Sequence, residues 1–176
     1  MWGPGTEMPG ANLRQTVHVE WVGNTGRGTA DYRAYGRDFV VRDGTKPEIP
    51  GSSIPRWRGD GSRYSPDDLL VAALSSCHML WYLHLCAESG IVVAEYADEA
   101  EGTLELDPER GGRFTLVTLH PEVRLASGDP ARARELHERA HAKCFVANSV
   151  NFPVRVEPRT LPSPVAPASA PEPSAM

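Results

Sequence analysis

The stretch Ser65-Pro66-Asp67-Asp68-Leu69-Leu70-Val71-Ala72-Ala73-Leu74-Ser75-Ser76-Cys77-His78-Met79-Leu80-Trp81-Tyr82-Leu83-His84-Leu85-Cys86-Ala87-Glu88-Ser89-Gly90 decides how the chain folds. Ser65 suits an N-cap, Pro66 the first helical position, and Asp67 and Asp68 the positive end of the helix dipole. Gly90 is a natural C-terminal stop. These signals predict a helix from Pro66 to Ser89, about 36 Å long at 1.5 Å per residue. Its section Leu69 to Ala87 has 19 residues and no Asp, Glu, Lys or Arg, a length that also spans a bilayer. Ser75, Ser76, His78 and His84 interrupt that section, and the flanking chain alternates like half-buried strands that need a helix to pack on. The expectation is a helix apolar on all sides, buried at the centre of a soluble domain, with no membrane span.

On the N-terminal side, Val17, Val19 and Trp21 alternate with His18 and Glu20, the period of a strand within Gln15 to Gly23. A turn-rich break, Gly23-Asn24-Thr25-Gly26-Arg27-Gly28, follows. Ala30 to Tyr35 and Phe39 to Val41 read as further strands, and Thr45 to Gly61, with three prolines and three glycines, as a long loop. Beyond the helix, Ile91 to Tyr96, Gly102 to Leu106 and Arg113 to Leu125 read as strands. Asp129-Pro130 starts a second helix that carries Leu136, Ala140 and Cys144 on one face, and Phe152 to Val156 makes a last strand. The fold class is α+β, in the order β-β-β-α-β-β-α-β, with a mostly antiparallel sheet around the central helix. One domain spans residues 15–157, preceded by a flexible segment 1–14. Residues 158–176, six of them proline, read as a disordered tail.

Length and composition narrow the function. The 176 residues suit a single domain, and 40% apolar content is enough for a core. Eighteen basic residues against 23 acidic give a net charge of −5, with no basic stripe to bind nucleic acid. Cys77, Cys86 and Cys144 are odd in number, so a disulfide framework is not expected and a reducing, cytoplasmic location is. The first fourteen residues lack the basic-then-apolar pattern of a signal peptide.

The cysteines carry two readings. Each of Cys77 and Cys144 by itself suits a small buried apolar residue. Together they are two thiols on two helices that a compact domain can bring face to face. Cys86 follows Cys77 by nine residues, about 180° around the helix, so the two cannot pair within it. A rival set is His137 and His141, four apart on the second helix, with Cys144 and His84 as further candidate metal ligands. The neighbours Arg134, Glu138, Arg139 and Lys143 favour exposed surface histidines instead, and no metal site is expected.

Arg63-Tyr64-Ser65-Pro66-Asp67-Asp68-Leu69-Leu70-Val71-Ala72-Ala73-Leu74-Ser75-Ser76-Cys77 resembles the central-helix signature of the OsmC/Ohr family, the osmotically inducible and organic hydroperoxide resistance proteins. Ala140-His141-Ala142-Lys143-Cys144-Phe145-Val146-Ala147-Asn148-Ser149 is similar to its second cysteine motif. The resemblance runs from about Thr16 to Glu157, and the long loop and proline tail are closer to the OsmC-like branch. It implies an OsmC-like fold built as an intertwined homodimer. It also implies a thiol peroxidase that reduces organic hydroperoxides, and hydrogen peroxide less well, without a cofactor. Cys77 matches the peroxidatic cysteine, Cys144 the resolving one and Arg27 the catalytic arginine. Asp67 stands where Ohr-type members carry a glutamate that orients that arginine, and is one methylene shorter; Arg33, Arg37, Arg56 or Arg58 are alternatives to Arg27. The implied reductant is a dithiol, such as a lipoyl group on a carrier protein.

The chemistry agrees with that assignment. Peroxide reduction needs a thiolate, which a neighbouring guanidinium stabilises, and a second thiol converts the resulting sulfenic acid to a disulfide. Asp67 lies ten residues before Cys77, about 15 Å along the helix, so an arginine touching both would draw on a second subunit. The competing expectation is a non-catalytic scaffold that binds a small ligand or metal or senses redox state.

Overall fold

A computed structural model describes residues 12–109 and 111–161. The flexible segment assigned to 1–14 and the tail assigned to 158–176 therefore lie largely outside the described residues. The chain divides after Ala72 into two compact units.

The first unit is an antiparallel meander of β1 (His18–Trp21), β2 (Phe39–Arg42) and β3 (Ile49–Gly51). Val19 opposes Val41, and Val41 opposes Ile49. Arg42 ties the sheet laterally through ion pairs with Glu20 and Glu48. The strand expected at Ala30 to Tyr35 is not formed; only Tyr35 makes an isolated bridge, to Asn24. The Asp31 carboxylate accepts the Arg33 N–H at 2.8 Å, and the Arg37 guanidinium donates to the Tyr32 and Tyr35 carbonyls at 2.8 and 2.6 Å. These bonds take backbone groups that a ladder would use. The predicted loop Thr45 to Gly61, conversely, contains β3, where Pro50 is tolerated because the strand lies at a sheet edge.

Gly51 explains one tight contact in this meander. It is buried opposite Phe39, and a Cβ added to it would overlap the Phe39 ring. Gly51→Ala is expected to destabilise the protein by about 1–3 kcal/mol through overpacking. Urea unfolding checks this, and a Phe39→Leu background, which removes the ring, should recover most of the loss.

The central helix α1 (Pro66–Glu88) begins in this unit and ends one residue before the predicted stop. Its start is a reciprocal cap: the Ser65 N–H donates to Asp68 Oδ2 at 2.8 Å and the Asp68 N–H to Ser65 Oγ at 3.1 Å. By length and composition α1 could cross a membrane. Beyond Ala72 it instead buries a stripe of Leu74, His78, Trp81, Tyr82, Leu85 and Cys86, the spacing of one helix face packed on protein.

The second unit holds that stripe and two three-stranded sheets. β4 (Val92–Asp98), β7 (Pro121–Ser127) and β9 (Arg159–Leu161) form one in the order β4-β7-β9. β5 (Glu101–Glu105), β6 (Arg113–Leu119) and β8 (Val154–Val156) form the other in the order β5-β6-β8. Between β7 and β8 runs the second helix, α2 (Pro130–Lys143), whose N-cap Asp129 accepts the Ala131 N–H at 2.9 Å. Trp81, Tyr82, Leu85, Cys86, Ile91, Val123, Leu125, Leu136, Ala140 and Cys144 make one continuous core.

The element order thus departs from the expected β-β-β-α-β-β-α-β. The strand expected from Arg113 to Leu125 is two strands in different sheets, divided at His120. Pro121 has no N–H to continue a ladder, and the His120 N–H turns aside to Asp98 Oδ1 at 2.7 Å. The sheets are also less antiparallel than expected, since β6–β8 and β7–β9 pair in parallel. Regular structure extends past Glu157 to Leu161, because β9 finds a partner in β7 and Arg159 pairs with Glu122 at 2.8 Å.

Candidate functional site

The second unit brings two thiols together. Cys77 follows Leu74 by three residues on α1, at the border of the buried stripe, and is partly exposed. Cys144 caps the C-terminus of α2, where its N–H donates to the His141 carbonyl at 3.2 Å and the chain leaves in extended conformation. Its side chain is 1% exposed, and the two thiols lie within hydrogen-bonding reach of each other. Burial, and then the contact with Cys77, push the Cys144 thiol up to about 12, against the Ala147 N–H that donates to its Sγ at 3.4 Å. Cys144 is therefore a protonated thiol at neutral pH, and Cys77 is the one that solvent and small molecules can reach.

Apolar groups edge this pair. Phe145, 60% exposed, stands edge-on to Trp81 with ring centroids 5.6 Å apart, and the Lys143 ammonium lies 5.3 Å over the Trp81 ring. Leu80 is also exposed, whereas Leu74 is wholly buried and belongs to the core. Cys86 is buried against Tyr82, and burial raises its thiol as well.

Arg27 and Asp67 belong to the first unit. Arg27 sits exposed between Gly26 and Gly28, both at positive φ, on a turn pinned by the Asn24 side chain, which accepts both glycine N–H groups at 2.9 and 3.0 Å. Asp67 stands half-buried in the first turn of α1. Of the alternative arginines, Arg37 is spent on the Tyr32 and Tyr35 carbonyls and lies over both rings. Arg33, Arg56 and Arg58 are exposed.

The histidines correct the sequence reading. His137 is 4% exposed, not a surface group, and its Nδ1 lies 3.0 Å from Nε2 of the fully buried His78. Tyr82 stacks on His137 with centroids 3.9 Å apart and planes at 14°. Burial holds both imidazoles neutral, His78 down to about 4 and His137 to about 3. His141 is half-buried, and His84 turns to Glu88 at 3.4 Å. Among the described residues no three His, Cys, Asp or Glu side chains gather closely enough to hold a metal ion, so the set His137, His141, Cys144 and His84 is not assembled. The buried stripes were the available signal for this pair. His78 lies four residues after Leu74, and His137 lies four after Ala133 and directly after Leu136, all of them core positions.

An α+β fold that presents one accessible and one buried thiol from two helices defines a class of two-cysteine proteins. The family model for OsmC-like proteins matches residues 59–159, and the chain belongs to that family. An OsmC-like protein of unknown function from Vibrio cholerae is 28% identical, with a TM-score of 0.76 over 84% of this chain and 100% of that one. The uncharacterised protein YmaD of Bacillus subtilis is 25% identical over 116 residues, 62% of this chain and 75% of its own length. An organic hydroperoxide resistance protein, OsmC, from Legionella pneumophila shares the fold at 19% identity. Its TM-score is 0.61, over 87% of this chain and 98% of that one.

Proposed function

We propose that the protein is a thiol-dependent hydroperoxide reductase, with Cys77 as the peroxidatic and Cys144 as the resolving residue. The observation that carries this reading is that the partly exposed Cys77 thiol on α1 lies within hydrogen-bonding reach of the Cys144 thiol at the end of α2. The Cys77 thiolate attacks the outer oxygen of the peroxide; an S–O bond forms as the O–O bond breaks, and the departing alkoxide takes a proton and leaves as alcohol. Cys77 is then a sulfenic acid, two electrons more oxidised. The Cys144 sulfur attacks that sulfur and expels hydroxide, which leaves as water with the Cys144 proton. The two thiols supply both electrons.

Arg27 is the guanidinium assigned to hold the Cys77 thiolate and the peroxide oxygens, with Asp67 as its orienting carboxylate. The family resemblance supports both roles, as it supports a homodimer, a cytoplasmic location and re-reduction by a dithiol such as dihydrolipoamide. The exposed Phe145 and Leu80 favour organic hydroperoxides over hydrogen peroxide.

A free-thiol count on the denatured protein tests the reading, before and after one equivalent of cumene hydroperoxide. The three thiols of the untreated chain should fall to one, leaving Cys86. An unchanged count of three would reject the peroxidase reading in favour of a non-catalytic scaffold.

A further inference from the structure

The His78–His137 pair joins the two helices that carry the cysteines, and the cycle proposed above gives it no role. His78 is the residue directly after Cys77, and His137 lies seven residues before Cys144. The 3.0 Å bond between them closes a separation of 59 residues, and both rings are buried. Two apolar side chains would fill the same space without leaving His78 Nδ1 buried and unpartnered, as it is. A directional hydrogen bond does what apolar packing does not: it fixes how one helix is turned and slid against the other. The Tyr82 ring, stacked on His137, restricts that imidazole further.

We propose that His78 and His137 are positioning residues that aim Cys144 at Cys77 for disulfide closure, an inference that rests on the thiol cycle above. Cys144 sits past the last full turn of α2, about 10 Å from His137 at 1.5 Å per residue. Over that arm a tilt of about 10° displaces the sulfur by nearly 2 Å. A disulfide requires an S–S distance of about 2.05 Å and a Cβ separation of about 3.5–4.5 Å, so that tilt takes the pair out of range. The reaction of Cys77 with peroxide involves no atom of α2. Loss of the pin therefore slows the second step and spares the first.

The experiment separates the steps by rapid mixing with cumene hydroperoxide, using a dimedone probe to trap the Cys77 sulfenate and non-reducing mass analysis to count disulfide. His78→Leu and His137→Leu should form sulfenate at close to the wild-type rate. They should close the disulfide more slowly by roughly a hundredfold or more, since a misplacement of about 1 Å already costs about a hundredfold. Sulfenate then accumulates and passes to sulfinate. In the double variant His78→Gln/His137→Asn the amides fall where Nε2 and Nδ1 stood, and closure should recover. The swapped pair His78→Asn/His137→Gln, nearly equal in volume and polarity, cannot make the same bond and should stay slow; this comparison decides the matter should the leucine variants fail to fold.

Equal rates of closure in all variants, or equal slowing of both steps, would overturn the inference and leave the peroxidase reading standing. Wild-type protein that forms no sulfenate would overturn that reading instead. In that case diamide, which joins neighbouring thiols without peroxide, still measures whether the histidines govern Cys77–Cys144 closure, by the same ranking of variants.

Discussion

Cys77→Ser is expected to lower peroxidase turnover by about a thousandfold or more, the scale on which removal of a nucleophile acts in enzymes built around one. A serine hydroxyl does not ionise near neutral pH and cannot be oxidised to the sulfenic state, so both the attack and the closure are lost. The substitution removes one partly exposed sulfur and should leave the melting temperature nearly unchanged. Cys144→Ser behaves differently. It should consume one equivalent of hydroperoxide at the wild-type rate and then stop, with Cys77 passing to sulfinic acid when peroxide is in excess. Coupled consumption assays and intact-mass measurement check both. Turnover by Cys77→Ser above about a tenth of wild type would reject the mechanism.

Acid should unfold the protein through the His78–His137 pair. Both imidazoles are held below their usual 6.5, to about 4 and about 3, by burial first; neighbouring His141 lowers His78 further while Asp98 works against it, and His78 in turn lowers His137. Between pH 6.5 and 4 the unfolded chain therefore binds protons that the native chain does not, and stability falls as pH falls. It is fully present above 6.5. Each histidine adds at most about 1.4 kcal/mol per pH unit to that slope. Urea unfolding at pH 7.5, 6, 5 and 4.5 reads it. The paired variant His78→Gln/His137→Asn, which cannot take up these protons, should show a shallower slope over that window, and parallel slopes would refute the assignment. Tyr82 and Tyr96, both held well above their usual range by burial, stay uncharged throughout.

What the sequence revealed follows from where the governing interactions lie. The start of α1 was legible because Ser65, Pro66 and Asp68 act on one another within a single turn, and Asp129 and Pro130 do the same for α2. The break at His120 was not, because it depends on the Asp98 carboxylate 22 residues away. Likewise Ala30 to Tyr35 reads as strand until Arg37 folds back onto its carbonyls, and Arg159 to Leu161 reads as tail until β7 offers an edge. Helical phase placed Leu136, Ala140 and Cys144 on one face, yet nothing local paired Cys144 with Cys77; only the resemblance did. His137 was misread because exposed Arg134, Glu138 and Arg139 flank it in sequence, while His137 itself falls in the buried stripe with Ala133, Leu136 and Ala140.

The burial of Cys144 also bears on how the proposed cycle would restart. A thiol whose acidity is suppressed to about 12 is a reluctant leaving group. An external thiolate that reaches the exposed sulfur of an oxidised Cys77–Cys144 bridge must expel that group. Once expelled, the Cys144 sulfur sits where it can return and eject the newcomer. A reductant with one sulfur keeps losing this contest. One that carries a second sulfur a few bonds away can attack its own mixed disulfide, close into a ring and depart oxidised before Cys144 comes back. If Cys77 and Cys144 cycle as proposed, the buried cysteine would act as a kinetic filter on electron donors, admitting dithiols and turning monothiols away.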